Sequence, residues 1–172
     1  MEFQQLSIFD AQTNQARTIP AIALWQPWAS LMAIGEKCFE TRGWFTDLRG
    51  PVIIYATKKV TDSRVGGFDK FFYSEPFFSA LKAAGYGKFN DLPLGALLSI
   101  HDLKNVWRVE AVKARPSTRA NELAFGDYSP GRFAFEMPLI RRFDEPICFK
   151  YPIKGPSKFF DVPTGAIEAA QP

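Results

Sequence analysis

Apolar positions along the chain fall into short runs that glycine and proline interrupt at close intervals. Residues 21–24 form a brief apolar strand, after which Trp28, Leu31, Met32 and Ile34 recur at helical spacing. This predicts a short helix that opens on Pro27, where a missing N–H costs nothing, and closes before Gly35, which accepts a left-handed conformation. From Lys37 to Trp44 the residues Phe39, Thr41 and Trp44 favour an extended strand that ends or bulges at Gly43. Period two then sets Glu40 and Arg42 on one face. Residues 47–51 read as a turn, and 52–57 as a continuous apolar run typical of a buried strand, with Lys58 and Lys59 at its end.

The remaining pattern is more broken. Residues 61–73 predict an aromatic-rich loop around Gly66 and Gly67. Ser74 as a hydroxyl cap and Pro76 in the first turn open a second helix, whose stripe of Phe77, Phe78, Leu81 and Ala84 ends at Gly85. Residues 94–103 predict a strand, 106–112 its irregular continuation, and 113–122 a basic loop holding Lys113, Arg115 and Arg119. A turn over 126–132 leads into an alternating strand from Arg132 to Met137, and 146–151 is a further short strand. Many short strands and few helices predict an α+β fold, a curled and mostly antiparallel sheet or small β-barrel flanked by short helices. Alternating βα units and a Gly-rich phosphate loop are absent, which excludes the common nucleotide-binding folds.

At 172 residues the chain is expected to hold one domain over 20–165, with a polar arm over 1–19 and a tail over 166–172. Apolar residues make up 47% and charged residues 23%, a globular balance, with an unusual load of 17 Phe to pack or use as flat contact surface. No apolar run approaches the roughly 18 to 20 residues of a membrane span, and the first residues do not resemble an export signal. A soluble, cytoplasmic protein without a membrane partner is therefore expected. Cys38 and Cys148, with His101 as the sole histidine, give neither a disulfide scaffold nor a zinc spacing, so no metal or cofactor is expected. His101 is read as a structural or surface residue rather than a general base. The net charge of +3 mildly favours a polyanionic partner.

Two stretches together resemble the signature of ASCH domains, members of the PUA-like superfamily. They are the run from Leu24 to Leu31 followed by Gly35 to Trp44, and the later run from Gly131 to Glu136. The family pattern G-x-K-x-x-E-x-R is met by Gly35, Lys37, Glu40 and Arg42. Residues 49–58 are similar to the family's strand after the motif, and the likeness extends over most of 22–160. The resemblance implies a β-barrel flanked by helices, a cleft into which the charged residues project, and a role in binding RNA or another nucleic acid. Some small members deacetylate acetylcytidine with a lysine matching Lys37, a threonine three residues later and a glutamate elsewhere. Glu40 stands at that threonine position here, a departure from the amidohydrolase pattern. A few other members cut RNA.

The chemistry of these residues fits a base-and-phosphate site. Lys37 and Arg42 suit phosphates, and Glu40 can accept from a base amine or hold Arg42. Trp28 and Trp44, with Trp25 and Phe39, are the faces on which an unpaired base can stack. Core packing is the commoner role of tryptophan, and Trp44, beyond Gly43, sits where a strand end opens to solvent. Lys58, Lys59 and Arg132 extend a backbone track if the fold gathers them with Arg115, Arg119, Arg141 and Arg142. The leading expectation is a nucleic-acid-binding module for single-stranded or modified RNA. One alternative is a hydrolase of RNA or acylated nucleosides, with Lys37 and Glu40 as catalytic residues and Glu40 as general base. Another is a protein-interaction module using the aromatics of 68–78. A purely structural alternative makes Glu40 and Arg42 a buried ion pair with Lys37 in solvent.

Overall fold

A computed structural model of the chain describes residues 17–62, 64, 66–150 and 158–170. Its central element is β3 (Gly50–Ala56), which lies between β1 (Thr18–Leu24) and β6 (Ala96–Leu103). The edges of this sheet are β10 (Phe160–Pro163) beside β1 and β9 (Leu139–Cys148) beside β6. Both faces of β3 are covered, as its continuous apolar run requires. Val52, Ile54 and Ala56 pack with Ile22, Leu24 and Leu98, while Ile53 and Tyr55 pack with Leu97, Phe143 and Val162 on the other side. Burying each of these larger side chains contributes about 1.5–3 kcal/mol. A short helix, α6 (Thr164–Glu168), places Ile167 in the second of these clusters.

A second sheet orders β2 (Phe39–Arg42), β8 (Phe133–Glu136) and β7 (Asn105–Arg108). Among the described residues the strands form these two sheets and a small hairpin, not a closed barrel. The closure expected from the sequence fails because β9 and β10 end one sheet and β2 and β7 the other, with no strand pairing between these edges among the described residues. The chain passes from one sheet to the other through Lys104, between β6 and β7, and through Met137 and Pro138, between β8 and β9. Lys104 N–H still donates to the Glu136 carbonyl at 2.9 Å and Asp102 N–H to that of Pro138 at 3.0 Å, so the junction stays bonded while the strands turn. All pairings in the two sheets are antiparallel except β1 with β3, which run parallel.

The connection between β1 and β3 carries α1 (Trp28–Ala33) and then β2. The hairpin of β4 (Thr61–Asp62) and β5 (Gly66–Gly67) follows β3, then α2 (Asp69–Phe72) and α3 (Phe77–Ala83). The hairpin and α2 occupy the stretch expected to be a loop, while α3 is the second helix expected from the stripe of Phe77, Phe78, Leu81 and Ala84. Leu31, Phe68, Phe72, Phe77, Leu81 and Phe125 make an aromatic-rich cluster between α1, α2 and α3, so most rings of 68–78 fill core. Ser74 does not cap α3: its hydroxyl donates to the Phe71 carbonyl at 2.7 Å, and Glu75 accepts from Ser79 N–H instead. Past β7 the chain coils into α4 (Val109–Lys113) and α5 (Ala120–Ala124), helices of five residues where a broken strand and a loop were expected. The expected 1–19 arm lies mostly outside the described residues, as does the end of the 146–151 strand.

Candidate functional site

The site is built on the turn from α1 into β2. Gln26 caps α1, its side-chain oxygen accepting from Ser30 N–H at 3.0 Å while its amide donates to the Pro93 carbonyl at 2.8 Å. Gly35 ends the helix at a φ of +76°, a conformation that favours glycine. Lys37 N–H then donates to the Leu31 carbonyl, folding the chain back before β2 begins.

That reversal turns the Lys37 side chain inward, leaving it 1% exposed. Its ammonium donates to the Phe39 carbonyl and lies 3.6 Å from Glu40 Oε2 and 3.9 Å from Glu122 Oε1. Glu122, on α5, is also buried and accepts the backbone N–H groups of Cys38 at 2.8 Å and Phe39 at 3.1 Å. Lys37 and Glu122 therefore each have both an ionic and a hydrogen-bonded partner, the condition under which burial is tolerable. Tyr128 closes this cluster, and burial, with the charges of Glu122 and Glu40, pushes its hydroxyl well above the usual range. Cys38 sits at its edge, where burial raises the thiol against the opposing pull of Arg119.

Above the cluster opens a cleft of about 660 Å³. Trp25, Trp28, Trp44, Phe71 and Phe77 give it aromatic walls, and Arg42, Arg64, Arg132, Glu40, Asp62 and Asp127 give it charge. Arg42 bridges the two layers. Its terminal nitrogen donates to the Ala23 carbonyl at 3.0 Å and lies 3.3 Å from Glu40 Oε1, while its Nε is buried without a hydrogen-bond partner among the described residues. Arg132 also lines the cleft, where it donates to the Asp127 carbonyl at 3.0 Å and to that of Thr41 at 3.2 Å. Trp25 is stacked on Phe68 with centroids 4.6 Å apart, and Lys59 lies 4.7 Å over its ring. The hairpin forms the rim. There Asp62 accepts from Arg64 at 2.9 Å and Lys59 at 2.6 Å, bonds that hold its carboxyl well below the usual carboxylate range.

Of the residues expected at the site, Glu40, Arg42, Trp44, Trp28 and Arg132 line this one cleft. Lys37 lies beneath it and presents no surface to a phosphate, because its ammonium is engaged with Glu40 and Glu122. Lys59 reaches the rim only through Asp62 and Trp25, and exposed Lys58 packs its stem against Gly95, away from the cleft lining. Trp25 and Trp28, ordinary core candidates by sequence, are half-buried with faces on the cleft. Other basic residues scatter: Arg115 stacks on Trp107, and Arg119 donates to the Gly35 carbonyl. His101 is fully buried, between Ser99 and the Met137 carbonyl.

Glu122, Asp62, Arg64 and Asp127 entered the site without warning from the sequence. For Glu122 one signal existed: a lysine buried among aromatics needs more counter-charge than Glu40, which it shares with Arg42, can supply.

No family model matches the chain, and no curated protein matches it significantly by sequence. Solved structures do. The chain superposes on the ASCH protein from Zymomonas mobilis with a TM-score of 0.50 at 16% identity, covering 88% of this chain and 92% of that one. A tyrosine-to-phenylalanine mutant of that protein gives a TM-score of 0.52 at 15% identity over 90% and 96% of the two chains. A serine-to-alanine mutant gives 0.51 at 16% over 90% and 95%. The chain thus shares the fold of these ASCH structures, as its two motif stretches implied.

Proposed function

We propose that the protein binds single-stranded RNA, seating an unpaired base in the cleft between the aromatic walls and its flanking phosphates against Arg42 and Arg132. The observation that carries this reading is the union of three indoles with Arg42, whose buried Nε is a donor left without a partner among the described residues. The cleft volume lies in the range of small-ligand sites. Stacking on such walls contributes about 1–3 kcal/mol per base and accepts any base. Discrimination falls to Glu40, an acceptor at the cleft floor suited to an exocyclic amine. Fluorescence anisotropy with short RNA and DNA oligonucleotides across a salt series tests this. Binding that weakens with salt and collapses in Arg42→Ala supports it; no binding at low salt, or wild-type binding in Arg42→Ala, refutes it.

Hydrolysis is the second reading, favoured by the placement of Glu40 between Lys37 and Arg42 at the cleft floor. Glu40 then takes the proton of an attacking water or ribose hydroxyl, Arg42 stabilises the charge that develops, and Lys37 fixes the carboxylate. Lys37 itself is walled off from a substrate by its burial. Turnover of oligonucleotides or acylated nucleosides that vanishes in Glu40→Gln, with binding retained, supports this reading. No turnover across that panel removes it.

A further inference from the structure

The second sheet carries its cleft-side face past the cleft. Residues in register on neighbouring strands point to the same face, and Arg42, Phe133 and Arg108 form one such row across β2, β8 and β7. Two positions along the strands the equivalent row is Glu40, Phe135 and Val106, of which Phe135 and Val106 pack into the core. The same face therefore runs from core to solvent within one repeat of the pleat. At its open end Phe45, which is 46% exposed, meets the half-buried Phe133 ring at a centroid distance of 5.5 Å. The Arg108 guanidinium lies 4.3 Å over the same ring and is itself exposed. On the other side of Phe45 in sequence, Trp44 lines the cleft and carries Lys158 at 4.8 Å from its ring.

Phe45 thus keeps about half of its surface open to solvent while Phe133 supports it from one side. The row from Arg42 to Arg108 crosses two strand spacings, about 10 Å. That distance separates the backbone of the cleft arginine from that of a second arginine, with Phe133 between them and Phe45 meeting its ring edge-on. Alternation of cation and flat ring along a groove is the arrangement by which proteins track single strands.

We propose that this row is a second nucleotide subsite, in which the base next to the one in the cleft stacks on Phe45 and its phosphate pairs with Arg108. The assignment rests on the RNA-binding reading of the cleft and extends it from one nucleotide to a strand of defined path. The subsite prefers no base, because a phenyl ring and a guanidinium over a phosphate read neither edge. A free nucleotide engages only the cleft, whereas a strand engages both.

The test is a length series of fluorescein-labelled single-stranded RNA, from a mononucleotide to about nine nucleotides, measured by anisotropy at low salt. The proteins are wild type, Phe45→Ala, Phe45→Trp, Arg108→Gln and Arg42→Ala. The wild type is expected to gain affinity with length and then level off. Phe45→Ala and Arg108→Gln should lose roughly 5- to 20-fold on the longest strand while holding the weak affinity for the shortest, and Phe45→Trp should restore it. Arg42→Ala should lose binding at every length. A wild-type length dependence in both Phe45→Ala and Arg108→Gln overturns the subsite and leaves the cleft reading standing. Absence of binding by the wild type at every length overturns both. Thermal melts that match wild type separate these effects from unfolding, since both side chains are exposed.

Discussion

Glu122 Oε1 lies 3.9 Å from Nζ of Lys37, and the same carboxylate takes two backbone N–H groups at the start of β2. One side chain from α5 thus fixes both the charge beneath the cleft and the strand that carries Glu40 and Arg42. Glu122→Ala is expected to cost about 3–5 kcal/mol, because it leaves a buried ammonium short of counter-charge and strands two donors. Glu122→Gln, which keeps an acceptor, should cost less. Urea denaturation of the three proteins measures both differences.

His101 gives the fold a pH dependence of known sign. The Met137 carbonyl accepts at 2.9 Å, so Nδ1 carries the proton and Nε2 accepts from the Ser99 hydroxyl, also at 2.9 Å. Burial pushes the imidazole down to about 4 from its ordinary 6.5, so the unfolded chain binds the proton more tightly. The stabilisation is complete above pH 6.5 and is lost as pH falls toward 4, by about 3 kcal/mol in all. Denaturation midpoints between pH 7 and 4.5 should fall for wild type and stay flatter for His101→Gln.

Gly126, on the cleft wall, has no room for a methyl group. A Cβ there would lie 2.7 Å from Tyr128 Cε2 and 3.3 Å from Thr41 Cγ2, and Tyr128 is too buried to swing away. Gly126→Ala should cost about 1–3 kcal/mol through overpacking, read as a lowered melting temperature.

Arg132 lines the cleft while bonded to Asp127 and to the Thr41 carbonyl. In the RNA-binding reading, Arg132→Ala should weaken binding alike for all sequences and reduce the slope of log affinity against log salt by about 0.7. An unchanged slope assigns Arg132 to holding Asp127 and Thr41 alone.

What the sequence revealed was local. Gly35 and the parity of Glu40 and Arg42 were readable because each depends on neighbours a few positions away, and the uninterrupted run of β3 told that both its faces would be covered. Lys37 misled because its reversal depends on a bond to Leu31 that no spacing announces. Glu122 was unreadable for a different reason: its partners Cys38 and Phe39 lie 84 and 83 positions away. Helices as short as α4 and α5 give too few turns for a periodic stripe. The barrel stays open because the edge strands β9 and β10 of one sheet do not pair with β2 and β7 of the other among the described residues, a matter of long-range pairing that no local pattern announces.

Of the four tryptophans, Trp25, Trp28 and Trp44 face the cleft, whereas Trp107 does not line it and is held by Arg115 and by its bond to Glu136 at 2.7 Å. The molecule therefore carries its own optical reporter. In the RNA-binding reading, a base that stacks in the cleft is expected to quench the emission of several indoles at once, with the remaining one as an internal reference, so that occupancy is followed in unlabelled protein.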